Sequence, residues 1–209
     1  IKDLQVEVDN SILFYDNLYK NSEVINTFIE RDFNFKGYDQ ENKTVLFYVA
    51  RNGLCDMKII EYLLITCDIN LNNLDNLGNN ALLELVNSII DLNTSSKKNS
   101  KNKNLYNLIP IFMEEEIDAT VYNNEGENVL TLAVKNKNLN LLKALLHNEV
   151  DPNILDIKKQ SALSIAALIG KDVIEIIFLL LDYGASSNIK DYKDKTIIER
   201  LIDAILLIK

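Results

Sequence analysis

Residues 156–185 read DIKKQSALSIAALIGKDVIEIIFLLLDYGA, and this stretch decides how the rest of the chain is read. A polar run comes first. Ser161 follows, placed to cap a short helix, since a serine oxygen accepts a free backbone N–H of the first turn. Ala162, Leu163, Ala166 and Ala167 form the tight apolar side of that helix. Gly170 breaks it. A second helix carries Ile176, Ile177, Leu180 and Leu181 on one stripe at helical period. Gly184 closes it, because glycine takes the left-handed backbone that a helix C-terminus wants. The unit is a polar turn followed by a helical pair.

The unit recurs. Its first residue, Asp156, has counterparts at Asp39, Asp75, Asn123 and Asp191, giving spacings of 36, 48, 33 and 35 residues. Five positions beyond each anchor stand Thr44, Asn80, Asn128, Ser161 and Thr196, all good N-cap residues. Two positions further come Leu46, Leu82, Leu130, Leu163 and Ile198, all apolar. The second helices give an independent check through an apolar i, i+1, i+4, i+5 stripe. It appears as Val24, Ile25, Phe28, Ile29; as Ile59, Ile60, Leu63, Leu64; and as Leu108, Ile109, Phe112, Met113. Leu141, Leu142, Leu145, Leu146 and the Ile176 set complete it.

These residues resemble the ankyrin repeat, whose pattern is roughly D-x-x-G-x-T-P-L-H-x-A-A-x-x-G followed by a helix ending L-L-x-x-G-A. The resemblance covers roughly residues 20–205. The family period is about 33 residues, so the longest spacing holds an insertion. The chain departs from the pattern in three ways. The motif Pro is replaced by Val45, Ala81, Val129, Ala162 and Ile197. The motif His is replaced by Phe47, Leu83, Thr131, Ser164 and Glu199. In the family that His helps tie neighbouring turns, so the expectation is a less stable or less regular array. The Gly closing the second helix is present only as Gly184; Asp32, Asp68, Glu116 and Glu149 replace it, and Glu is a poor left-handed residue.

The implied fold is all-α: an ankyrin-repeat solenoid of stacked helix-turn-helix units with short hairpin-like turns, in a single domain over 1–209. Residues 1–38 form an N-terminal capping pair with helices at 11–19 and 22–31. Repeat one is 39–74, with helices at 45–52 and 57–66. Repeat two is 75–122, with a first helix near 81–91 and a polar insertion, NTSSKKNSKNKN, at 93–104. Such a low-complexity polar tract reads as a disordered, solvated loop, although its four lysines could attract an acidic partner. Pro110 predicts a kink or a late start in the helix near 105–115. Repeat three is 123–155 (helices 129–136 and 139–148) and repeat four is 156–190 (162–169 and 172–183). Residues 191–209 are a C-terminal cap or partial repeat.

Composition narrows the function classes. The formal net charge is −9 and the pI about 4.7, which argues against phosphate-rich nucleic acid and against anionic membrane surfaces. No apolar run approaches the roughly 20 residues needed to span a bilayer. Cys55 and Cys67 lie near opposite ends of one expected helix, about 18 Å apart, too far for a disulfide. Two free thiols favour the cytoplasm. The chain begins with Ile rather than Met, which reads as a processed or trimmed chain and leaves secretion open.

No site constellation emerges. His147 sits near a helix end, where a cation complements the dipole. Glu114, Glu115 and Glu116 form a solvated helix end, and Thr94, Ser95 and Ser96 have no nearby base. No catalytic residue, metal or cofactor is expected.

The resemblance implies a non-catalytic scaffold that binds another protein through its concave surface and turn tips. Carried over residue by residue, the partner-facing turn positions are Gln40, Glu41, Lys43; Asn76, Leu77, Asn79; Asn124, Glu125, Glu127; Ile157, Lys158, Gln160; and Tyr192, Lys193, Lys195. First-helix positions are Arg51, Asn52, Asn87, Lys135 and Leu168. Leu77, Ile157, Lys158, Leu168 and Tyr192 are the leading candidates, since buried anchors dominate interface energy. Leu77, Ile157 and Tyr192 otherwise pack on the neighbouring turn. The rival readings are a self-associating segment of a larger array, through the apolar run Ile205–Ile208, or the regulatory arm of a multidomain protein.

Overall fold

The computed structural model describes residues 18–53, 56–94, 105–190, 194–197 and 199. Among them are nine α-helices and no strand; Leu155 and Ser161 form an isolated bridge. The helices are α1 (Ser22–Glu30), α2 (Val45–Asn52), α3 (Met57–Glu61), α4 (Ala81–Thr94) and α5 (Leu108–Glu114). They continue as α6 (Val129–Lys135), α7 (Leu139–His147), α8 (Ala162–Ile169) and α9 (Ile174–Asp182). The first helices stack in order, α2 on α4, α4 on α6 and α6 on α8. Three of them pack on their own second helix: α4 on α5, α6 on α7, α8 on α9. Among the second helices α1 meets α3, and α7 meets α9. A single helix of eight residues cannot bury its apolar stripe alone; stacking of repeats does it.

Leu46, Leu82, Leu130 and Leu163, all two positions past the cap, are buried in one continuous core. The second-helix stripe is fully buried in α7, the innermost such helix of the C-terminal half. At the ends it is less covered: Val24 of α1 and Leu181 of α9 are exposed.

Four of the five cap residues solve the same problem, the free N–H groups of a helix start, by different means. Asn128 Oδ1 accepts from Leu130 N and Thr131 N at 3.1 and 3.0 Å, and Thr131 Oγ1 accepts from Asn128 N at 2.9 Å. That closes a reciprocal capping box. Glu199 does the same for Thr196, accepting from its N and Oγ1 at 2.6 and 2.8 Å. These bonds, the backbone one first, hold the Glu199 carboxyl below its ordinary pKa. Ser161 Oγ accepts from Ser164 N at 3.2 Å, and Asn80 Oδ1 accepts from Leu83 N at 3.0 Å. Thus Thr131 and Glu199, at the family's histidine position, close the cap of their own helix. Thr44 departs from expectation: it makes no side-chain cap bond, and its Oγ1 is buried without a partner. Its third-position residue, Phe47, is buried in the core and offers no polar return contact.

Other expectations are refined by the backbone. The helix at 57–66 is α only to Glu61 and continues as a π-turn over Tyr62–Thr66. The helix at 172–183 opens with a 3-10 turn, Lys171–Val173, before α9. Pro110 falls in the first turn of α5, where its missing N–H has no intrahelical acceptor to lose, so the late start is observed. α4 runs to Thr94, so the insertion begins inside a helix; residues 95–104 lie outside the described residues. The helix expected at 11–19 falls largely outside them too, save a 3-10 turn at Leu18–Lys20.

The second helices end alike. Glu116 N donates to the Met113 carbonyl and Ile117 N to the Phe112 carbonyl, each at 3.1 Å. Glu149 and Val150 repeat this on Leu146 and Leu145. The motif needs a left-handed residue, and Asp32, Asp68, Glu116 and Glu149 supply it at φ 53°, 48°, 57° and 64°. For Glu this costs roughly 1–2 kcal/mol, against roughly 0.5–1 kcal/mol of extra flexibility that Gly brings to the unfolded chain. Glu116→Gly and Glu149→Gly should each raise stability by about 0.5 kcal/mol. A combined variant with an unchanged urea midpoint would remove this strain argument.

Candidate protein-interaction surface

The turns are built on one device. Asp75 Oδ1 accepts from Leu77 N at 2.9 Å and Asn79 N at 2.8 Å, while Asp75 N donates to the Asn79 carbonyl at 2.9 Å. Asp39, Asn123 and Asp156 hold their turns in the same way. A short side chain with an acceptor oxygen is needed at the anchor, which is why it is Asp or Asn. Three residues on, the backbone turns left-handed, at Asn42, Gly78, Gly126, Lys159 and Asp194.

Neighbouring turns are then laced together. Asn76 N donates to the Glu41 carbonyl at 2.9 Å, Asn124 N to the Leu77 carbonyl at 2.8 Å, and Ile157 N to the Gly126 carbonyl at 3.1 Å. Asn76 Nδ2 and Asn124 Nδ2 add bonds to the Gln40 and Asn76 carbonyls. Deeper in the array, Asn72 Oδ1 accepts from Asp118 N and Asn153 Oδ1 from Ser186 N, each at 2.8 Å. The turn tips are therefore a fixed row rather than independent loops.

On this frame Leu77 is 60%, Ile157 56% and Leu168 51% exposed, and Lys158 is exposed beside Ile157. Leu77 belongs to the turn of repeat two, Ile157 and Lys158 to that of repeat four, and Leu168 to the last turn of α8. Ile157 also packs on its neighbour: a Cβ on Gly126 would lie 1.9 Å from Ile157 Cγ2. Tyr192 lies outside the described residues.

Two turn positions expected to face a partner are buried instead. Lys43 is 5% and Asn79 3% exposed. Lys43 Nζ lies 2.7 Å from Glu41 Oε2 and 3.8 Å from Asp75 Oδ2, so its charge is spent between two turns. Arg51 is also committed: it pairs with Glu84 at 2.7 Å, joining α2 to α4, and lies over the Tyr48 ring at 5.9 Å. Lys135 pairs with Glu127 at 2.5 Å.

Two clefts open on this face. One, of about 420 Å³, runs from Lys43 and Arg51 to Asn87 and Asp91. The other, of about 300 Å³, lies between Leu77, Asn87, Glu125 and Leu132. They share Leu77, Asn79 and Asn87 as a common wall.

Sequence reasoning missed another row. Tyr38, Leu74, Tyr122 and Leu155 each precede a turn anchor, and all are exposed. Large apolar residues recurring at one offset, off the helical stripes, were the available signal.

His147 Nδ1 sits 3.3 Å from Tyr183 Oη, at the ends of α7 and α9. Cys67 is buried and free, and burial pushes its thiol pKa up despite the Tyr62 hydroxyl and Lys36, which lower it. A protonated thiol is a weak nucleophile. Among the described residues no group of three or more His, Cys, Asp or Glu is placed to hold a metal, and no helix is long and apolar enough to cross a membrane.

Stacked helical pairs with hydrogen-bonded turns define a helical repeat protein. Residues 98–191 match the family model for ankyrin repeats in three copies. Such repeats generally mediate protein–protein interaction, and the family is generally non-catalytic. A chain from the structure of the Bdellovibrio bacteriovorus predatory endopeptidase Bd0816 in complex with immunity protein Bd3460 is similar in fold. The two share 20% identity over 92% of each chain, with a TM-score of 0.62. No curated protein sequence matches this one.

Proposed function

We propose that the protein is a non-catalytic binding scaffold that engages a protein partner through its turn tips and concave face. The observation that carries this is the set of exposed apolar side chains, Leu77, Ile157 and Leu168, held on a cross-linked row of turns. A rigid frame lowers the entropy lost on binding, and exposed apolar bodies supply the contact area. Leu77→Asp/Ile157→Asp should abolish capture of the partner in a pull-down while leaving the helical circular dichroism and melting profile in place. Equal capture by a folded double variant sinks the assignment of these tips.

One observation favours a second reading, self-association. Leu181 of α9 is 44% exposed, whereas its register equivalent Leu146 of α7 is 3% exposed because α9 covers it. Ile174 and Phe178 lie exposed on the same helix. A second copy covering that face makes the mass rise with concentration in light scattering. A constant monomer mass removes the reading.

A further inference from the structure

We infer that the outer side of α9 is a docking surface for a cationic amphipathic helix of a partner protein. None of the turn-tip residues belongs to this surface.

Register within the array fixes the shape that fits. α9 packs on α7, whose Leu142 and Leu146 are buried and Leu139 half-buried. The residues in register on α9 are Ile177, Leu181 and Ile174, and each is more open. Ile177 is half-buried; Leu181 and Ile174 are exposed. Phe178 joins them, exposed, where α7 carries Lys143. Ile174, Ile177, Phe178 and Leu181 recur at i, i+3, i+4 and i+7, which is one continuous stripe of a helix. α9 thus offers a further helix the side that α7 offers α9. Docking of one amphipathic helix on an apolar surface uses anchors at this same spacing.

Charge selects the kind of helix. Glu175 and Asp182 are exposed two turns apart, on the edge of the stripe beside Phe178. α9 contains no basic residue, and neither acid is ion-paired among the described residues. Asp182 stands in the last turn, where the helix dipole disfavours a negative charge. In register on α7 stand Asn140 and His147, so the acidic edge belongs to α9 rather than to the repeat. Lysine or arginine on the incoming helix would meet both acids. A second copy presenting the same helix would add acids and no cation, so the charge favours a different chain.

The test titrates the full chain with a fluorescein-labelled helical peptide, leucine at i, i+3, i+4 and i+7 and lysine elsewhere. Two controls accompany it: a same-composition scramble that scatters the leucines, and a counterpart with glutamate for every lysine. Fluorescence anisotropy should show saturable binding of the lysine peptide and weaker binding of both controls. Phe178→Ala should weaken the lysine peptide about tenfold, the scale of one central aromatic anchor. Glu175→Gln/Asp182→Asn should weaken it about fivefold, the scale of two exposed charge contacts. Both variants change exposed side chains, and circular dichroism checks that the helices remain. Absence of saturable binding, equal affinity for either control, or indifference to either variant would each overturn the docking surface. So would a concentration-dependent dimer that Phe178→Ala returns to monomer, because the face would then belong to a second copy.

Discussion

Gly126→Ala should destabilise the protein by about 2–5 kcal/mol, from two separable causes. The first is backbone strain. Gly126 has φ +81°, a region that costs an L-residue with a Cβ roughly 1–2 kcal/mol. The second is collision. The new Cβ would lie 1.9 Å from Ile157 Cγ2 and 2.8 Å from Ile157 Cβ, and overpacking of that kind costs typically 1–3 kcal/mol. The two are separated by Gly126→Ala/Ile157→Ala, which removes the outer methyl groups of the isoleucine. The double variant should recover the larger part of the collision cost and none of the strain. Urea denaturation of the four proteins measures this. Simple additivity of the two substitutions would show that the turns do not touch in solution. Gly78 gives a softer comparison: its nearest obstacle is Asn124 Oδ1 at 2.8 Å, the end of a mobile side chain.

Asp75→Ala should cost about 2–5 kcal/mol, roughly 1–3 for the turn N–H groups left unmet and roughly 1–2 for Lys43 and Asn79. Three roles disappear together. Leu77 N and Asn79 N lose the oxygen that closes the turn. Asn79 Nδ2 loses its acceptor. Lys43, 5% exposed, loses its buried counter-charge and keeps only the solvent-facing Glu41. Asp75→Asn separates turn geometry from charge. Asn already does this job at position 123, where its Oδ1 accepts the same two N–H groups. The Asn variant should therefore lose only about 1–2 kcal/mol, the share belonging to Lys43 and Asn79. Equal losses for Ala and Asn would mean the charge, not the turn, is what Asp75 supplies.

The anchors show how much of the surface was readable beforehand. That a turn begins at Asp39, Asp75, Asn123 and Asp156 follows from residue type and spacing. So does the burial of Leu46, Leu82, Leu130 and Leu163, because helical period is local. Leu77, Ile157 and Leu168 are exposed, each off the stripe of its own unit. Lys43 and Asn79 went the other way. Their burial depends on the neighbouring turn, and a single repeat contains no information about how closely its neighbour approaches. The commitment of Arg51 to Glu84 is a contact between residues of different repeats, and spacing does not reveal which cation meets which carboxylate. Thr44 illustrates the converse. Its residue type suits a cap, yet the buried aromatic at Phe47 replaces the polar return contact that Thr131 gives Asn128.

By itself the sequence determined the elements: where turns start, which residues are able to cap, and which stripe of each helix faces inward. These follow from chain geometry within about one repeat. The tertiary structure alone decided the surface. It selected which turn residues sink between neighbours and joined Leu77, Asn79, Asn87 and Glu125 around one cleft. The physical reason is range. Secondary structure is set by neighbours a few bonds away, whereas a binding face is assembled from residues one repeat apart, brought together only when the core closes.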